Sequence, residues 1–199
     1  MFALEVVSAL LLLLNKIFVR KKKTIGWVFG MFGTVMVTIY FYLQMVLENR
    51  GNLWIMVVYD VALFFLMIYG YLVSSSVKNP PRVAFLKKWN VVFKLIVVSI
   101  TTVVCLIFLI QAITADLVFV QFLGALGGLI GTLLLAFHKS LTNKVGWMCY
   151  LFANLLIAYL MFEKDSMFFS VCQIISAGIS VLALKDEIEK VSKIETAAR

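Results

Sequence analysis

Long apolar runs recur along the whole chain and constrain its fold more than any other feature. Each run has about 18 residues or more and is separated from the next by a short polar or charged stretch. Such runs can cross a bilayer as helices, whereas a membrane β-barrel would show short alternating segments. Hydrophobic residues make up 63% of the chain, which has only two prolines among 199 residues. We therefore predict an all-α polytopic membrane protein.

The apolar runs predict seven membrane-spanning helices in a 3 + 1 + 3 layout. The predicted parts are a first three-helix repeat, an inner loop with a linker helix, a second three-helix repeat and a cytoplasmic tail, at 1–73, 74–113, 114–184 and 185–199. The linker helix is the apolar run at about 89–113, which follows the longest polar connection.

The basic residues predict an orientation. With the N-terminus outside and the C-terminus inside, all lysines and arginines except Arg50 and Lys164 fall in inner loops, at inner helix ends or in the tail. This placement follows the positive-inside rule. Lys16 is thereby assigned to the inner end of the first span, beside the basic run 20–23. No positive charge precedes the first apolar core, so we expect a retained helix and not a cleaved signal peptide.

A short motif occurs twice in the chain. Gly26-Trp27 and Gly146-Trp147 each begin an apolar segment, and a phenylalanine follows each tryptophan after five residues. The same offset aligns the first span with the fifth. Because aligned spans are four helices apart, both three-helix units should enter the membrane in the same direction. We therefore predict a parallel repeat, an arrangement known among transporters.

Polar and aromatic residues in the second copy of this motif form a candidate site. Trp147, Tyr150 and Asn154 are three and four residues apart, so they share one face of a helix. Asn154 lies near the middle of its apolar segment, where an amide is costly unless it forms a hydrogen bond. Thr34 holds the corresponding position in the first copy. These residues either line a pore or, in the simpler interpretation, only join neighbouring helices.

Two further polar residues lie inside predicted spans. Asp60 is the only acid deep in a predicted span, and Gln173 holds nearly the equivalent position in the seventh span. A carboxyl group at this depth should face water or a partner, or be a protonated structural acid. The predicted substrate-binding residues are Trp147, Tyr150, Asn154, Asp60, Gln173 and Thr34.

Several other functions are not supported by the sequence. The basic residues lie between spans, which indicates contact with the lipid bilayer and not with nucleic acid. His138 is the single histidine, so neither a histidine-based metal site nor a catalytic triad is expected. No nucleotide-binding loop sequence is present, and the three cysteines lie in apolar segments. We therefore expect no catalytic residues, no metal and no cofactor, and a protein that is not an enzyme.

The chain resembles the PnuC family of vitamin transporters, whose architecture is similar to that of the SWEET and SemiSWEET sugar carriers. The second-half signature of the family, W-x2-W-x3-N, reads here Trp147-x2-Tyr150-x3-Asn154. The Ile-Tyr-Gly-Tyr sequence at 68–71 is similar to the family's Ile-Tyr-Gly-Trp. A tyrosine thus replaces the second tryptophan, and the seventh span lacks the family's Gly-aromatic ending. The resemblance implies import of nicotinamide riboside, trapped inside the cell by a kinase.

The leading hypothesis is a multi-pass transporter of the cell membrane, inner or plasma, for a small vitamin- or nucleoside-like solute such as nicotinamide riboside. The shortage of buried ionisable groups favours facilitated diffusion. Two alternatives stay open: a non-transporting assembly or immunity protein that keeps the fold without a pocket, and a SWEET-type sugar carrier. The sugar carrier is disfavoured because no proline lies in any span, so the Pro-Gln signature is absent. Homo-oligomerisation and ion coupling are also left open.

Overall fold

The computed structural model of the chain describes residues 1–47, 53–76, 116–137 and 140–197. These residues contain no strand and form six helices: α1 (Phe2–Arg20), α2 (Ile25–Leu47), α3 (Trp54–Ser76), α4 (Asp116–Ala136), α5 (Ser140–Glu163) and α6 (Met167–Ala197). All six are long and apolar enough to cross a membrane. The all-α polytopic class is therefore confirmed in the part of the chain that the structure describes.

The predicted number of seven membrane-spanning helices is wrong, because the described residues contain six. The additional helix was the apolar run at about 89–113, and it was counted from hydropathy alone. That run, with most of the predicted linker 74–113, lies outside the described residues. Among the described helices α3 contacts α4 directly. The predicted division of the chain into two repeats and a linker stays a prediction.

The six described helices close into a ring. Each one contacts the next along the chain, and α6 contacts α1. The Glu5 carboxylate accepts a hydrogen bond from the Phe169 N–H at 3.0 Å, and Arg20 Nε lies 2.8 Å from Asp186 Oδ2. The start of α1 thus meets the start of α6, and the end of α1 meets the last part of α6. These two helices therefore run in the same direction.

The exterior of the ring is apolar, and its interior carries polar groups. Phe32, Phe152 and Ile174 are each more than half exposed at positions that suit contact with lipid. The polar side chains are buried between the helices, where they need partners or a function. Those that bear on the site are Glu5, Asn15, Lys16, Thr34, Asp60, Thr132, Asn154, Gln173 and Ser180. This arrangement directs attention to the centre of the ring.

Glycines allow the helices to approach each other at two places that matter for the site. A Cβ at Gly70 of α3 would lie 2.5 Å from the Trp27 ring of α2, so only glycine leaves room for the indole. A Cβ at Gly131 of α4 would lie 3.0 Å from the Gly146 carbonyl of α5. The glycines of α4 and α5 therefore bring these two helices close, which is the packing role of small residues in membrane bundles.

The last helix is longer than a membrane span. Its 31 residues extend over about 46 Å, whereas the hydrocarbon core of a bilayer is about 30 Å thick. The predicted tail 185–199 continues the same helix as far as Ala197. The Arg20–Asp186 ion pair fixes the start of this extension to the end of α1.

Candidate functional site

A cavity lies at the centre of the ring, and all six described helices contribute to its wall. Most of the wall is apolar, which is typical of small-molecule sites, where a few polar groups fix the orientation of the ligand. Its polar residues are Asn15, Lys16, Tyr59, Asp60, Tyr150, Asn154 and Gln173. The structure thus brings together four of the six predicted site residues: Asp60, Tyr150, Asn154 and Gln173.

Lys16 of α1 lies among these polar residues and was not predicted as a site residue. Its ammonium donates a hydrogen bond to Asn154 Oδ1 on α5 and another, at 3.5 Å, to Gln173 Oε1 on α6. It also lies 5.1 Å from the centroid of the Tyr150 ring, within the range of a cation–π interaction. Lys16 is only 8% exposed, so its assignment to the inner membrane surface is corrected. Lys16 could have been predicted as a site residue, because it is an ionisable residue inside an apolar span.

Tyr150 and Asn154 lie one turn apart on the face of α5 that lines the cavity. The Tyr150 hydroxyl is 2.6 Å from Thr132 Oγ1 of α4, and the Thr132 hydroxyl donates its proton to the Gly128 carbonyl at 2.7 Å. Tyr150 is therefore the donor in the first of these bonds, which fixes its ring against the cavity. Asn154 directs its Nδ2 towards Ser180 Oγ of α6 at 3.4 Å.

Asp60 lines the cavity from α3, across the ring from α6. It is 2% exposed, and its Oδ2 atom has no hydrogen-bond partner among the described residues. A buried polar atom without a partner costs about 1–3 kcal/mol. Asp60 thus places an unpaired polar atom on the described part of the cavity wall.

The other two predicted site residues do not line the cavity. Trp147 is 4% exposed, and its ring centroid lies 5.9 Å from that of Tyr150, so it supports the tyrosine from behind. Thr34 of α2 is fully buried, and its hydroxyl donates to the Met31 carbonyl of its own helix at 2.9 Å. The residue that α2 contributes to the cavity wall is Phe41.

Two buried polar residues of α1 join helices. Asn15 Nδ2 donates to the Gly26 carbonyl at 2.8 Å and so links α1 to α2. The Glu5 carboxylate binds the Phe169 N–H in the first turn of α6, where backbone N–H groups lack partners within the helix. The negative charge also suits the positive end of the helix dipole. Neither residue was predicted, and Glu5 shows that Asp60 is not the only buried acid.

An aromatic cluster of Tyr40, Phe41 and Phe169 lies where α6 begins. Phe41 and Phe169 belong to the cavity wall, with ring centroids 5.8 Å apart. The Tyr40 ring is parallel to that of Phe169 at 6.4 Å. The Tyr40 hydroxyl is 2.7 Å from Ser166 Oγ, so the cluster ties α2 to the start of α6.

The cavity is narrow in this conformation. Its free space admits water but not a nucleoside. The described part of the chain has no group of His, Cys, Asp or Glu that could hold a metal ion. The polar groups that the cavity presents include amides, a carboxyl group and a lysine beside a tyrosine ring.

Comparison with known proteins identifies the family. The family model described as nicotinamide mononucleotide transporter matches residues 3–186. The match covers nearly all of the described helices and ends within α6, at the start of its extension. No curated protein and no solved structure is similar enough to the chain to count as a match. The resemblance to PnuC transporters is therefore confirmed, and the similarity of architecture to the sugar carriers stays a prediction. The chain belongs to the nicotinamide mononucleotide transporter (PnuC) family and is a multi-pass cell-membrane transporter for a vitamin-like solute.

Proposed function

We propose that the protein is a facilitator for a small vitamin- or nucleoside-like solute, with nicotinamide riboside as the first candidate. The observation that carries the proposal is the central cavity, where Tyr150, Asn154, Gln173 and Asp60 meet from three helices. A planar base can stack on the tyrosine ring. The two amides can bind its substituents, and Asp60 can accept a hydrogen bond from a ribose hydroxyl.

Transport requires the cavity to open towards one side of the membrane at a time. The units α1–α3 and α4–α6 pack on each other where α3 contacts α4 and α6 contacts α1, and side chains also join them at Lys16–Asn154 and Tyr40–Phe169. Rocking of these two units about the cavity is the motion that repeat-built carriers use. The aromatic cluster includes residues of both units and is the proposed gate at the end where α6 begins.

Facilitated diffusion is the simplest mode for this cavity. Apart from tyrosines, Lys16 and Asp60 are the ionisable side chains of its described wall, so coupling to an ion would depend on these two alone. Without such coupling, net import needs a step that removes the free solute inside the cell. A kinase that traps the solute, as the resemblance implies, would supply that step.

The proposal is tested by solute binding to the purified protein. We expect saturable binding of at least one of radiolabelled nicotinamide riboside, thiamine or a nucleoside, and competition by the same unlabelled compound. Tyr150→Ala should weaken binding by about 0.5–1.5 kcal/mol, the contribution of aromatic stacking beyond buried area. Tyr159→Ala is the matched control, because Tyr159 lies on the same helix but is 52% exposed on the exterior.

A panel in which no solute binds would contradict the proposal. The non-transporting assembly or immunity protein would then be the better account of a chain that keeps the fold. If Tyr150→Ala and Tyr159→Ala weakened solute binding equally, the proposed location of the site would be contradicted. The proposed transport function would still stand.

A further inference from the structure

We infer that Lys16 couples solute binding to the motion of the two three-helix units, because its ammonium occupies the solute-binding groups until the solute displaces it. This inference rests on the proposed function, since it names a positioning residue for the same cavity. Lys16 belongs to α1, whereas the groups that its ammonium contacts belong to α5 and α6. The lysine therefore ties the two units together through the site itself.

The ammonium of Lys16 makes the contacts that the proposed function assigns to the solute. It donates hydrogen bonds to Asn154 Oδ1 and Gln173 Oε1, and it lies 5.1 Å from the centroid of the Tyr150 ring. Amide oxygens and a ring face that hold an ammonium are less available to another ligand. A solute that binds these three residues must therefore compete with Lys16.

Asp60 offers a place for the displaced ammonium. Its Oδ2 atom is buried in the wall of the same cavity, without a hydrogen-bond partner among the described residues. Lys16 in turn has two neutral amide oxygens as acceptors and forms no ion pair with an acid of the described residues. A buried charge without an opposite charge is costly, and the low dielectric favours its pairing with a carboxylate. The lysine side chain is long and flexible, so it can turn towards Asp60 when the solute takes its acceptors.

This exchange of partners links solute binding to opening of the cavity. While Lys16 binds Asn154 and Gln173, α1 is tied to two helices of the other unit. Asp60 belongs to α3, in the same unit as Lys16. A pair between Lys16 and Asp60 therefore lies within one unit and leaves the other unit free. The solute thus favours the open state by replacing a contact that only the closed state makes, as a ligand-driven change requires.

The first candidate solute is compatible with the exchange. A carboxylate can accept hydrogen bonds at several positions, so Asp60 can bind an ammonium and a ribose hydroxyl together. The positively charged ring of nicotinamide riboside can stack on Tyr150 once the ammonium has left that ring face. Lys16 and the solute therefore use Tyr150 in turn.

The direction of an affinity change tests the displacement. Radiolabelled nicotinamide riboside is the probe, and thiamine or a nucleoside replaces it if that is the compound that binds. We expect Lys16→Met to bind the probe about tenfold more tightly than the wild type, the effect of freeing a site that is available in about one molecule in ten. A lysine with only a structural role, or one that binds the solute itself, would give unchanged or weaker binding when removed.

Two further variants accompany Lys16→Met. Lys16→Gln keeps a hydrogen-bond donor but no charge, so it should show a smaller gain of affinity in the same direction. Lys21→Met is the matched control, because Lys21 is an exposed residue of the turn after α1. Its affinity for the probe should equal that of the wild type.

A double-variant cycle tests the part assigned to Asp60. Asp60→Asn keeps an acceptor for the solute but removes the charge that attracts the ammonium. It should weaken probe binding about tenfold in the protein that contains Lys16, and less than about threefold in Lys16→Met. The two effects differ because the loss of the carboxylate acts through the lysine.

The outcomes separate this inference from the proposed function. Unchanged or weaker binding by Lys16→Met would overturn the displacement and leave the transporter proposal standing. Equal effects of Asp60→Asn with and without Lys16 would overturn the exchange with Asp60. If neither the wild type nor Lys16→Met bound any compound of the panel, the inference and the proposed function would both be overturned. Where Lys16→Met does not fold, the comparison of Lys16→Gln with the wild type decides the same question.

Discussion

Replacement of Asn154 by leucine is expected to abolish solute uptake. Leucine has about the same size as asparagine but can neither accept the Lys16 hydrogen bond nor bind the solute. A hydrogen bond that involves a charged group contributes about 1.5–3 kcal/mol, so loss of such contacts corresponds to about a tenfold to hundredfold weaker site. Uptake of radiolabelled solute by cells that express equal amounts of protein measures this effect.

The same variant should also reduce stability, because Lys16 loses its nearest acceptor. We expect the free energy of unfolding to fall by about 1.5–3 kcal/mol. The double variant Lys16→Met with Asn154→Leu should recover stability without recovering uptake, since the two residues are coupled. Asn143→Leu is the matched control, because Asn143 is a buried asparagine of the same helix that does not line the cavity. Normal uptake by Asn154→Leu would contradict the site.

Replacement of Asp60 by leucine should stabilise the protein and impair uptake at the same time. The Oδ2 atom of Asp60 is buried without a partner, so its removal should raise the free energy of unfolding by about 1–3 kcal/mol. Uptake should fall about tenfold or more, because a solute hydroxyl would lose the hydrogen-bond acceptor that Asp60 supplies in the proposed site. Thermal unfolding in detergent and uptake of labelled solute, measured on the same preparation, test both parts.

Glu5 provides the control for this prediction, because it is a buried acid that does have a partner. Its carboxylate binds the Phe169 N–H, so Glu5→Leu should destabilise the protein where Asp60→Leu stabilises it. Asp60→Asn should show whether uptake needs the acid itself or only a polar side chain. Destabilisation by both leucine variants would mean that Asp60 has a structural role.

Four residues of the cavity wall could be predicted because polar side chains of a membrane-spanning helix face the protein interior, whereas those of a soluble protein face the solvent. Polar residues in the middle of apolar spans are costly in lipid, so Asp60, Asn154 and Gln173 pointed to the interior from their positions alone. Tyr150 followed from helical spacing relative to Asn154. These four residues come from α3, α5 and α6, and the same physical constraint directs all of them towards the cavity.

Lys16 was missed because its position allowed two interpretations. It precedes Arg20 by one helical turn, so it was counted with the basic residues of the membrane surface. Side chains on a helix lean towards its N-terminus, however, and for α1 that direction leads into the membrane. The lysine therefore reaches Asn154 and Gln173 instead of the surface.

Thr34 and the number of helices show two limits of sequence patterns. The repeated motif equated Thr34 with Asn154, but a threonine hydroxyl can bind the carbonyl of its own helix, and Thr34 does so with Met31. Equivalent positions in two copies need not have equivalent roles. The prediction of seven spans depended on the hydropathy of the run at about 89–113. Hydropathy reflects the length and composition of a segment and contains no information about its contacts with other segments.

Solute counterflow in liposomes is the measurement that tests the central claim most directly. Protein reconstituted into liposomes loaded with unlabelled solute should accumulate the labelled solute transiently, without nucleotide and without an ion gradient. Asn154→Leu should show no accumulation, and Asn143→Leu should behave like the wild type. Rates equal to those of protein-free liposomes, for every solute that binds, would contradict a facilitator built around this cavity.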